Sequence, residues 1–534
     1  MTVNLPRSAK TKTGLGTLLK SYLSTGVVAR FTGGLGPVLF FGFGSNVITA
    51  LVGMTAIPLY LSLMGQEAYG IVGFYIVLQG WMVLFDLGVG QAVGRQLSRY
   101  RAGAVRPEDA VSLLGAAEAA FLVGGLIAGI VFFFSMGWVG RSWLGSSGLP
   151  TGEVRVALQL AGWLLVARWL VTVYQNALIG LECQIAANSV TLLGTIGRNG
   201  IAVIALAWMS RSPTVFFSAW LGVTLLELAA NRLLLAKAMP AAKVDWLNGW
   251  RLVTREFSFA AGITLSLAIT LCISQADRMT LSHSLNLGEF GAFSLVISLC
   301  AGIALVVPPM VQAFQPRLTS LLAQDRRAEF AEVYRLSISL IIVVTAGLAG
   351  TMATWPGLVV YAWTGDREIA RALAPTLTFF ALGSGIASFL FLPLVLQFAQ
   401  GLIRLQLIGN LIFGTVWIPA AVWASLRFGT VGAGVVWLLG NLLFLLVWVP
   451  LIHRRLLSRE ERHGLGLQAW LRIAMLASML AATRVISSDG FDRPMALAFL
   501  AAISMTIMAI ATLLFRELRT HLMGIAGIGR GRVH

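Results

Sequence analysis

Five ionisable residues interrupt the apolar stretches of this 534-residue chain. They are Asp86, Glu118, Arg168, Arg198 and Glu227. A charged side chain at the middle of a membrane-spanning helix costs about 2.5–3.5 kcal/mol on insertion scales, so each one requires a partner, water or a functional role. If these stretches cross a membrane, the five residues are the first candidates for chemistry.

Arg168 and Arg198 are predicted to bind the phosphate groups of a substrate. Each lies roughly a dozen residues, about 18 Å, from an end of its apolar run, too deep to reach water easily. A guanidinium group matches phosphate oxygens bidentately, and the interaction strengthens in a low-dielectric cavity. The alternative is a structural role, in which each arginine pairs between helices with Glu118, Glu227 or Asp86. The sequence leaves both interpretations open.

The three carboxylates Asp86, Glu118 and Glu227 are predicted to bind a coupling ion, a proton or sodium, or to act as counter-ions. For Asp86 a plain salt bridge to Arg95 or Arg99 is the favoured interpretation, because the neighbouring glycines indicate close helix packing. No other cofactor and no metal site is expected.

The elements that must position these residues are membrane-spanning helices. Hydrophobic residues make up 57% of the chain and charged residues only 11%, and its mean hydropathy is +0.83. That composition excludes an ordinary soluble domain and allows about fourteen spans of about 20 residues each. The apolar runs lie near residues 38–62, 70–93, 111–136, 156–180, 188–209, 214–236, 258–282, 290–314, 335–355, 373–397, 405–426, 431–452, 470–486 and 494–515. Long runs without strict alternation predict an all-α polytopic membrane protein.

The distribution of positive charge predicts the orientation of these spans. When loops are assigned alternately to the two sides, 27 Lys and Arg fall on the side of both termini and 8 on the other. The eight are Arg141, Arg155, Arg211, Arg367, Arg371, Arg427, Arg484 and Arg493. The positive-inside rule then places both termini in the cytoplasm. The net charge of +17 therefore requires no nucleic-acid partner.

The span pattern divides the chain into six parts. Residues 1–37 form a basic cytoplasmic tail with an interfacial helix, and residues 237–257 form a cytoplasmic linker between two lobes. The parts are, in order, 1–37, the first lobe 38–236, the linker 237–257, the second lobe 258–452, two further spans in 453–515, and a basic cytoplasmic tail 516–534.

Enzymatic motifs are absent from the sequence. There is no HExxH, GxxxxGK[ST], GxSxG or GxGxxG pattern in a suitable context, and the five histidines form no ligand cluster. The three cysteines lack the spacing of a disulfide framework or a zinc site. The longest internal loops hold only about 20 residues, too few for a soluble catalytic or ATP-binding domain.

Two stretches separated by about 221 residues resemble each other. Gly65, Glu67, Tyr69 and Gly70 open one predicted span, and Gly288–Gly291, with the sequence GEFG, opens the other. Both openings lie on the outer side, so the pattern predicts a parallel repeat of two bundles. Convergent loop chemistry explains the likeness equally well.

Several segments resemble, in order, the bacterial polysaccharide transporters. The first is LMGQEAYGIVGFY followed by FDLGVGQAVGRQLSRY, and the second is YQNALIGLECQIAANS. The others are SQADRMTLSHSLNLGEFGAFSL and PPMVQAFQPRLTSL. The positions matching the family pattern are Gly70, Asp86, Gly88, Arg95, Asp277 and Gly291. Asp277 and Arg278, near the outer end of span seven, also predict a local interfacial pair.

This family includes the O-antigen flippases of the multidrug/oligosaccharidyl-lipid/polysaccharide (MOP) exporter superfamily. The resemblance implies two six-helix lobes, as in the MATE exporters, with two extra C-terminal helices and alternating access across the bacterial inner membrane. It implies an undecaprenyl-pyrophosphate-linked oligosaccharide as the substrate, for O-antigen, capsule or exopolysaccharide synthesis. The polysaccharide polymerase and chain-length proteins are the implied protein partners, besides the lipid bilayer.

Two other functions remain as alternatives. A cation-coupled multidrug exporter of the same superfamily usually has twelve spans, so fourteen counts against it. A polytopic glycosyltransferase or polymerase typically needs a long outer loop with essential arginines or carboxylates, which the sequence does not contain. The expected function is therefore that of a flippase rather than an enzyme.

Overall fold

The computed structural model describes residues 36–85, 89–143, 148–240, 242–400, 403–458, 467–486, 488 and 490–525. Within these ranges all regular structure is helical, which confirms the predicted all-α class. The first lobe contains α1 (Gly36–Phe85), α2 (Val89–Arg101), α3 (Pro107–Trp138), α4 (Thr151–Gly180), α5 (Gln184–Trp208) and α6 (Pro213–Ala238). The second contains α7 (Trp246–Ser284), α8 (Leu287–Ala323), α9 (Arg327–Thr345), α10 (Pro356–Thr364), α11 (Arg367–Phe389), α12 (Phe391–Ala399), α13 (Ile403–Leu443) and α14 (Val449–Leu456). The C-terminal helices are α15 (Leu467–Ala482), α16 (Arg493–Leu514) and α17 (Arg516–Ile525).

Two helices each contain a pair of predicted spans. Helix α1 bends at Gly65, whose φ of 81° suits glycine alone, and α13 bends at Gly429, with φ 60°. Ten helical stretches among the described residues are long and apolar enough to cross a membrane, and two of them contain these bends. Helices α7 and α15 coincide with predicted spans seven and thirteen. The helices are thus compatible with the predicted fourteen crossings. Of the predicted tail, residues 1–37, only 36 and 37 belong to the described part, where they open α1, so the predicted interfacial helix lies outside the described residues.

Some helix limits differ from the predicted ones. The second predicted span, 70–93, overlaps α1 up to Phe85 and α2 from Val89, and residues 86–88 between them lie outside the described part. Helix α8 continues to Ala323, well past the predicted limit at 314, with Leu318 and Leu321 buried on one side. Hydropathy locates the apolar centre of a span but misses such amphipathic extensions, because their average hydrophobicity is low.

The two repeated motifs pack against each other where the lobes meet. A methyl group at Gly70 on α1 would overlap the carbonyl oxygen of Leu287 on α8, and one at Gly291 would overlap the carbonyl oxygen of Gln66. These two contacts are reciprocal. Leu287 lies four residues before Gly291 on α8, and Gln66 lies four residues before Gly70 on α1. The amide of Gln66 also donates a hydrogen bond of 3.0 Å from Nε2 to the carbonyl oxygen of Gly288. The two motifs therefore meet at the contact between the lobes, and their common origin as a repeat stays a prediction.

The C-terminal helices α15 and α16 pack on the second lobe beside α9. There the helix α9 continues through a π-helical turn, Ala346–Gly350, and its two glycines face Met508 of α16 and Leu480 of α15. The absence of side chains at these positions lets the helices approach closely. Trp355 donates a hydrogen bond of 2.9 Å from Nε1 to the Thr483 hydroxyl at the end of α15.

Candidate functional site

Three helices of the first lobe bring Arg168, Arg198 and Glu227 together. Arg168 lies on α4, Arg198 on α5 and Glu227 on α6, each near mid-helix. Nη1 of Arg168 donates to Oε2 of Glu227 at 3.0 Å, and Nη1 of Arg198 donates to the same oxygen. Both predicted phosphate-binding arginines and one predicted counter-ion therefore form a single group, which we call the Glu227 cluster.

The surrounding residues fix the Glu227 carboxylate in place. A methyl group at Gly194 on α5 would lie 2.8 Å from Oε2, so only glycine leaves room for the carboxylate there. Gln175, two turns along α4 from Arg168, donates from Nε2 to Oε1 of Glu227 at 3.5 Å and to the Thr191 hydroxyl at 2.7 Å. Both carboxylate oxygens thus have hydrogen-bond donors, as a buried charge requires.

The Glu227 cluster carries one surplus positive charge. The Glu227 side chain is fully buried, the Arg198 side chain is 8% exposed and the Arg168 side chain is 22% exposed. Arg198 is further held by a hydrogen bond of 3.0 Å from Nη2 to the Thr195 hydroxyl. Arg168 is therefore the more exposed of the two arginines, whereas Arg198 and Glu227 are buried.

Glu118, the second of the three predicted carboxylates, has partners of its own. Its Oε1 accepts hydrogen bonds from the Tyr174 hydroxyl at 2.7 Å and from Nε of Arg232 at 2.6 Å. The Glu118 side chain is 18% exposed and that of Arg232 46%. Of the carboxylates that the sequence offers as partners for the two arginines, Glu227 is therefore the one that pairs with them, and Glu118 pairs with Arg232.

The remaining predicted positions are scattered. Asp86 and Gly88 lie outside the described residues, as does the predicted salt bridge from Asp86 to Arg95 or Arg99. Arg95 is exposed on α2, while Gly70 and Gly291 form the contact between the lobes described above.

Asp277 is buried on α7, and its carboxylate accepts a hydrogen bond of 2.8 Å from the backbone nitrogen of Arg278. The predicted pairing of these two neighbours is thus made through the backbone. Among the described residues, Nε of the Arg278 guanidinium is buried without a hydrogen-bond partner.

A second polar group, in the other lobe, was not predicted from the sequence. Gln397 on α12, Gln406 and Asn410 on α13, and Thr270 on α7 form one chain of hydrogen bonds. These Gln, Asn and Thr side chains are uncharged, so a search for charges inside apolar runs does not find them. Amide side chains at these positions in spans ten and eleven were the available indication, since such groups in a bilayer require partners.

No protein-family model matches the sequence, and no curated protein matches it. Solved structures do match. The lipid II flippase MurJ in an inward closed conformation superposes with a TM-score of 0.67 at 13% identity, over 89% of this chain and 99% of that one. An inward-facing multidrug resistance MATE transporter of the MOP superfamily gives 0.61 at 14% identity, over 78% and 98%. A MOP superfamily transporter from Pyrococcus furiosus gives 0.52 at 16% identity, over 78% and 95%. The chain therefore has the fold of MOP superfamily transporters and is a multi-pass membrane protein.

Proposed function

We propose that this protein moves a lipid-linked oligosaccharide across the membrane by alternating access between its two lobes, with the phosphates bound at the Glu227 cluster. The observation that carries the proposal is the sharing of one buried carboxylate by two guanidinium groups inside a membrane-spanning bundle. A single arginine would suffice to neutralise Glu227. The second one leaves a positive charge whose desolvation cost is offset when an anion binds.

A pyrophosphate group fits this charge arrangement. Arg168 has the more exposed guanidinium, which can accept phosphate oxygens in its planar fork of donors. Arg198 and Glu227 then act as a buried support that orients Arg168. A purely structural cluster would gain little from the second arginine, because helix-to-helix hydrogen bonds in membranes average only about 0.6 kcal/mol.

The closed contact between α1 and α8 supports alternating access. Gly70 and Gly291 bring the two helices together at the ends that the charge distribution places outside. Separation of the lobes at this contact would open the site to the outer side. The glycines permit a close approach that does not depend on interlocking side chains, so the contact can form and break repeatedly.

The proposed substrate is an undecaprenyl-pyrophosphate-linked oligosaccharide for O-antigen, capsule or exopolysaccharide synthesis. The superposition on the lipid II flippase covers about a tenth more of the chain than that on the MATE transporter. This difference is about the length of the two C-terminal spans. The proposed location is the bacterial inner membrane with both termini in the cytoplasm, where a polymerase and chain-length proteins would be the partners.

A cation-coupled drug exporter is the second candidate, because MATE multidrug transporters share the fold. The surplus positive charge of the Glu227 cluster favours an anionic substrate over a cationic one. Glu227 and Glu118 are both bonded to arginines, which favours a counter-ion role over proton or sodium coupling for these two residues. A membrane glycosyltransferase or polymerase is the third and weakest candidate.

The test is deletion of the gene, complementation and analysis of lipid-linked sugars. We expect the deletion to accumulate lipid-linked oligosaccharide on the cytoplasmic leaflet. Wild-type protein and R155A should restore transport, whereas R168A should not. R168A retains the pair of Arg198 and Glu227, and Arg155 is an exposed arginine at the start of the same helix.

Two results would contradict the proposal. Unchanged lipids combined with lost drug resistance in the deletion strain would identify an exporter. Full transport by a folded R168A/R198A protein would remove the phosphate-binding role from the Glu227 cluster.

A further inference from the structure

The second lobe contains a cavity of about 170 Å³ between α7, the junction of α11 and α12, and α13. Fourteen residues line it, and none of them carries a charge. The lining includes the amide side chains of Gln406, Asn410 and Asn441 and the aromatic rings of Phe413, Trp417 and Trp437. We call this space the amide cavity.

The amide side chains form a directed chain that leaves groups unused. Gln397 donates from Nε2 to Oε1 of Gln406 at 3.1 Å, and Gln406 donates to Oδ1 of Asn410 at 3.0 Å. Asn410 then donates from Nδ2 to the Thr270 hydroxyl at 2.8 Å. A primary amide has two N–H donors and two acceptor lone pairs, so these bonds leave Gln406 and Asn410 each with one N–H and one lone pair. Both residues thus present a donor and an acceptor to a ligand.

The aromatic walls are fixed from behind. Trp417 and Trp437 meet edge to face, with ring centroids 5.8 Å apart. Gly440 lies directly against the Trp417 ring, and Nε1 of Trp437 donates to the Ser384 hydroxyl at 3.2 Å. A π-helical turn, Phe444–Trp448, begins one turn beyond Asn441, and such turns are frequent at functional sites. The walls therefore have a defined geometry before any ligand binds.

We propose that the amide cavity binds one uncharged sugar ring of the transported lipid, an inference that rests on the proposed flippase function. Paired donors and acceptors match the neighbouring hydroxyl groups of a sugar, and flat aromatic walls match its C–H faces. The cavity is smaller than the roughly 300–1,000 Å³ pockets that hold drug-sized ligands, so it admits a single ring. With no charge in the lining, the cavity has no group that would neutralise a phosphate group or a metal ion.

The two lobes would therefore divide the substrate between them. The Glu227 cluster holds the charged end from the first lobe, and the amide cavity holds a sugar from the second. A chain of amides that served only to join helices would not require open volume or unused donors beside it. Thr270 and Phe391 line the cavity and are exposed, so they mark its opening.

The test compares two probes on the purified full-length protein in nanodiscs. One probe is the native lipid-linked oligosaccharide extracted from the deletion strain, and the other is undecaprenyl pyrophosphate, which has no sugar. We expect N410L to weaken binding of the oligosaccharide lipid about tenfold, because one or two hydrogen bonds are lost. Binding of undecaprenyl pyrophosphate should stay within about twofold of the wild-type value. R168A should weaken the binding of both probes. T415V is the matched control, because the Thr415 hydroxyl bonds only the backbone of its own helix.

A milder variant, N410S, and thermal unfolding of each protein guard against misfolding as the cause. If N410L weakens the binding of both probes equally, or weakens the binding of neither, the proposal is overturned. If the wild type binds both probes equally well, the amide cavity has no sugar role and the proposed function stands. If the wild type binds neither, the proposed function itself fails. If the wild type binds the cationic dye rhodamine 6G tightly and N410L abolishes that binding, the cavity would instead serve drug export.

Discussion

Arg168 and Arg198 contact the same oxygen of Glu227, yet they contribute differently to the cluster. Arg198 is nearly buried and has a second hydrogen bond to Thr195, whereas Arg168 reaches the more open side. Removal of either arginine leaves Glu227 with one arginine partner. Removal of the carboxylate instead leaves two guanidinium groups close together with no anion between them. The stability of the first lobe therefore depends most on Glu227.

We predict that E227Q destabilises the protein more than R168A does. Breaking a buried charge pair by removing one partner costs about 3–5 kcal/mol, because the remaining charge stays buried and uncompensated. E118Q is the matched control, since Arg232 is half exposed and pairs of that kind contribute about 1 kcal/mol or less. Thermal unfolding of the purified proteins measures the difference. Equal melting temperatures for E227Q and E118Q would show that the cluster is not a buried charge group.

The sequence was sufficient to select Arg168 and Arg198, because a cation deep in an apolar run is rare and expensive. It could not assign their partner. Glu118 and Glu227 were equivalent candidates in the sequence, and the choice between them depends on the rotation of α3 and α6 about their axes. Gly194 was equally hidden, since its role is the space it leaves for a carboxylate on another helix.

At the scale of elements, the contact between α1 and α8 is the one that the proposed alternating access must open and close. Gly73 and Ser294 continue the contact that Gly70 and Gly291 begin, one turn further along both helices. Each residue of α8 in this set lies 221 residues after its counterpart in α1. The bend at Gly429 likewise lies 221 residues after Trp208, where α5 ends. The spacing predicted from one motif therefore recurs at two separate junctions.

We predict that G70A shifts the protein toward a state that is open to the outer side. The added methyl group would overlap the α8 backbone, and overpacking of this kind costs about 1–3 kcal/mol. In a background without native cysteines, S294C reports the change, because position 294 is buried in this contact. Labelling of S294C by a membrane-impermeant maleimide should increase at least about fivefold when G70A is added.

G53A is the control for this experiment, since nothing lies within 4 Å of the position of its methyl group on the same helix. Unchanged labelling in G70A would mean that the contact does not close the outer side.

At the scale of the whole molecule, the two lobes share an architecture and differ in their polar interiors. The first has a charged group on α4, α5 and α6, and the second has an uncharged amide chain on α12 and α13. Hydropathy was sufficient to predict the all-α class and the positions of most of the described helices, while the number of crossings stays a prediction. It could not predict the lobe contact or the amide chain, because both depend on which side of each helix faces its neighbour.

The C-terminal helices decide whether the molecule has twelve or fourteen crossings. Helix α15 has 16 residues, about 24 Å, and the 3-10 turn Thr483–Val485 adds about 6 Å, enough for a hydrocarbon core of about 30 Å. Nε of Arg484 donates to the carbonyl oxygen of Thr354 at 2.8 Å, and Nη2 of Arg493 donates to that of Trp363 at 2.9 Å. These arginines attach the link between α15 and α16 to the end of the second lobe that the charge distribution places outside.

We therefore predict that a reporter fused after residue 488 lies outside the cytoplasm, whereas reporters fused after residues 454 and 519 lie inside. Alkaline phosphatase should be active only at the first position, and green fluorescent protein should fluoresce only at the other two. An inactive phosphatase at 488 would mean that α15 and α16 do not cross the membrane. The count would then fall to twelve, the usual number for the multidrug exporters. The topology would no longer favour a flippase over an exporter. An active phosphatase at 488 would show that α15 and α16 both cross the membrane and would bring the count to fourteen.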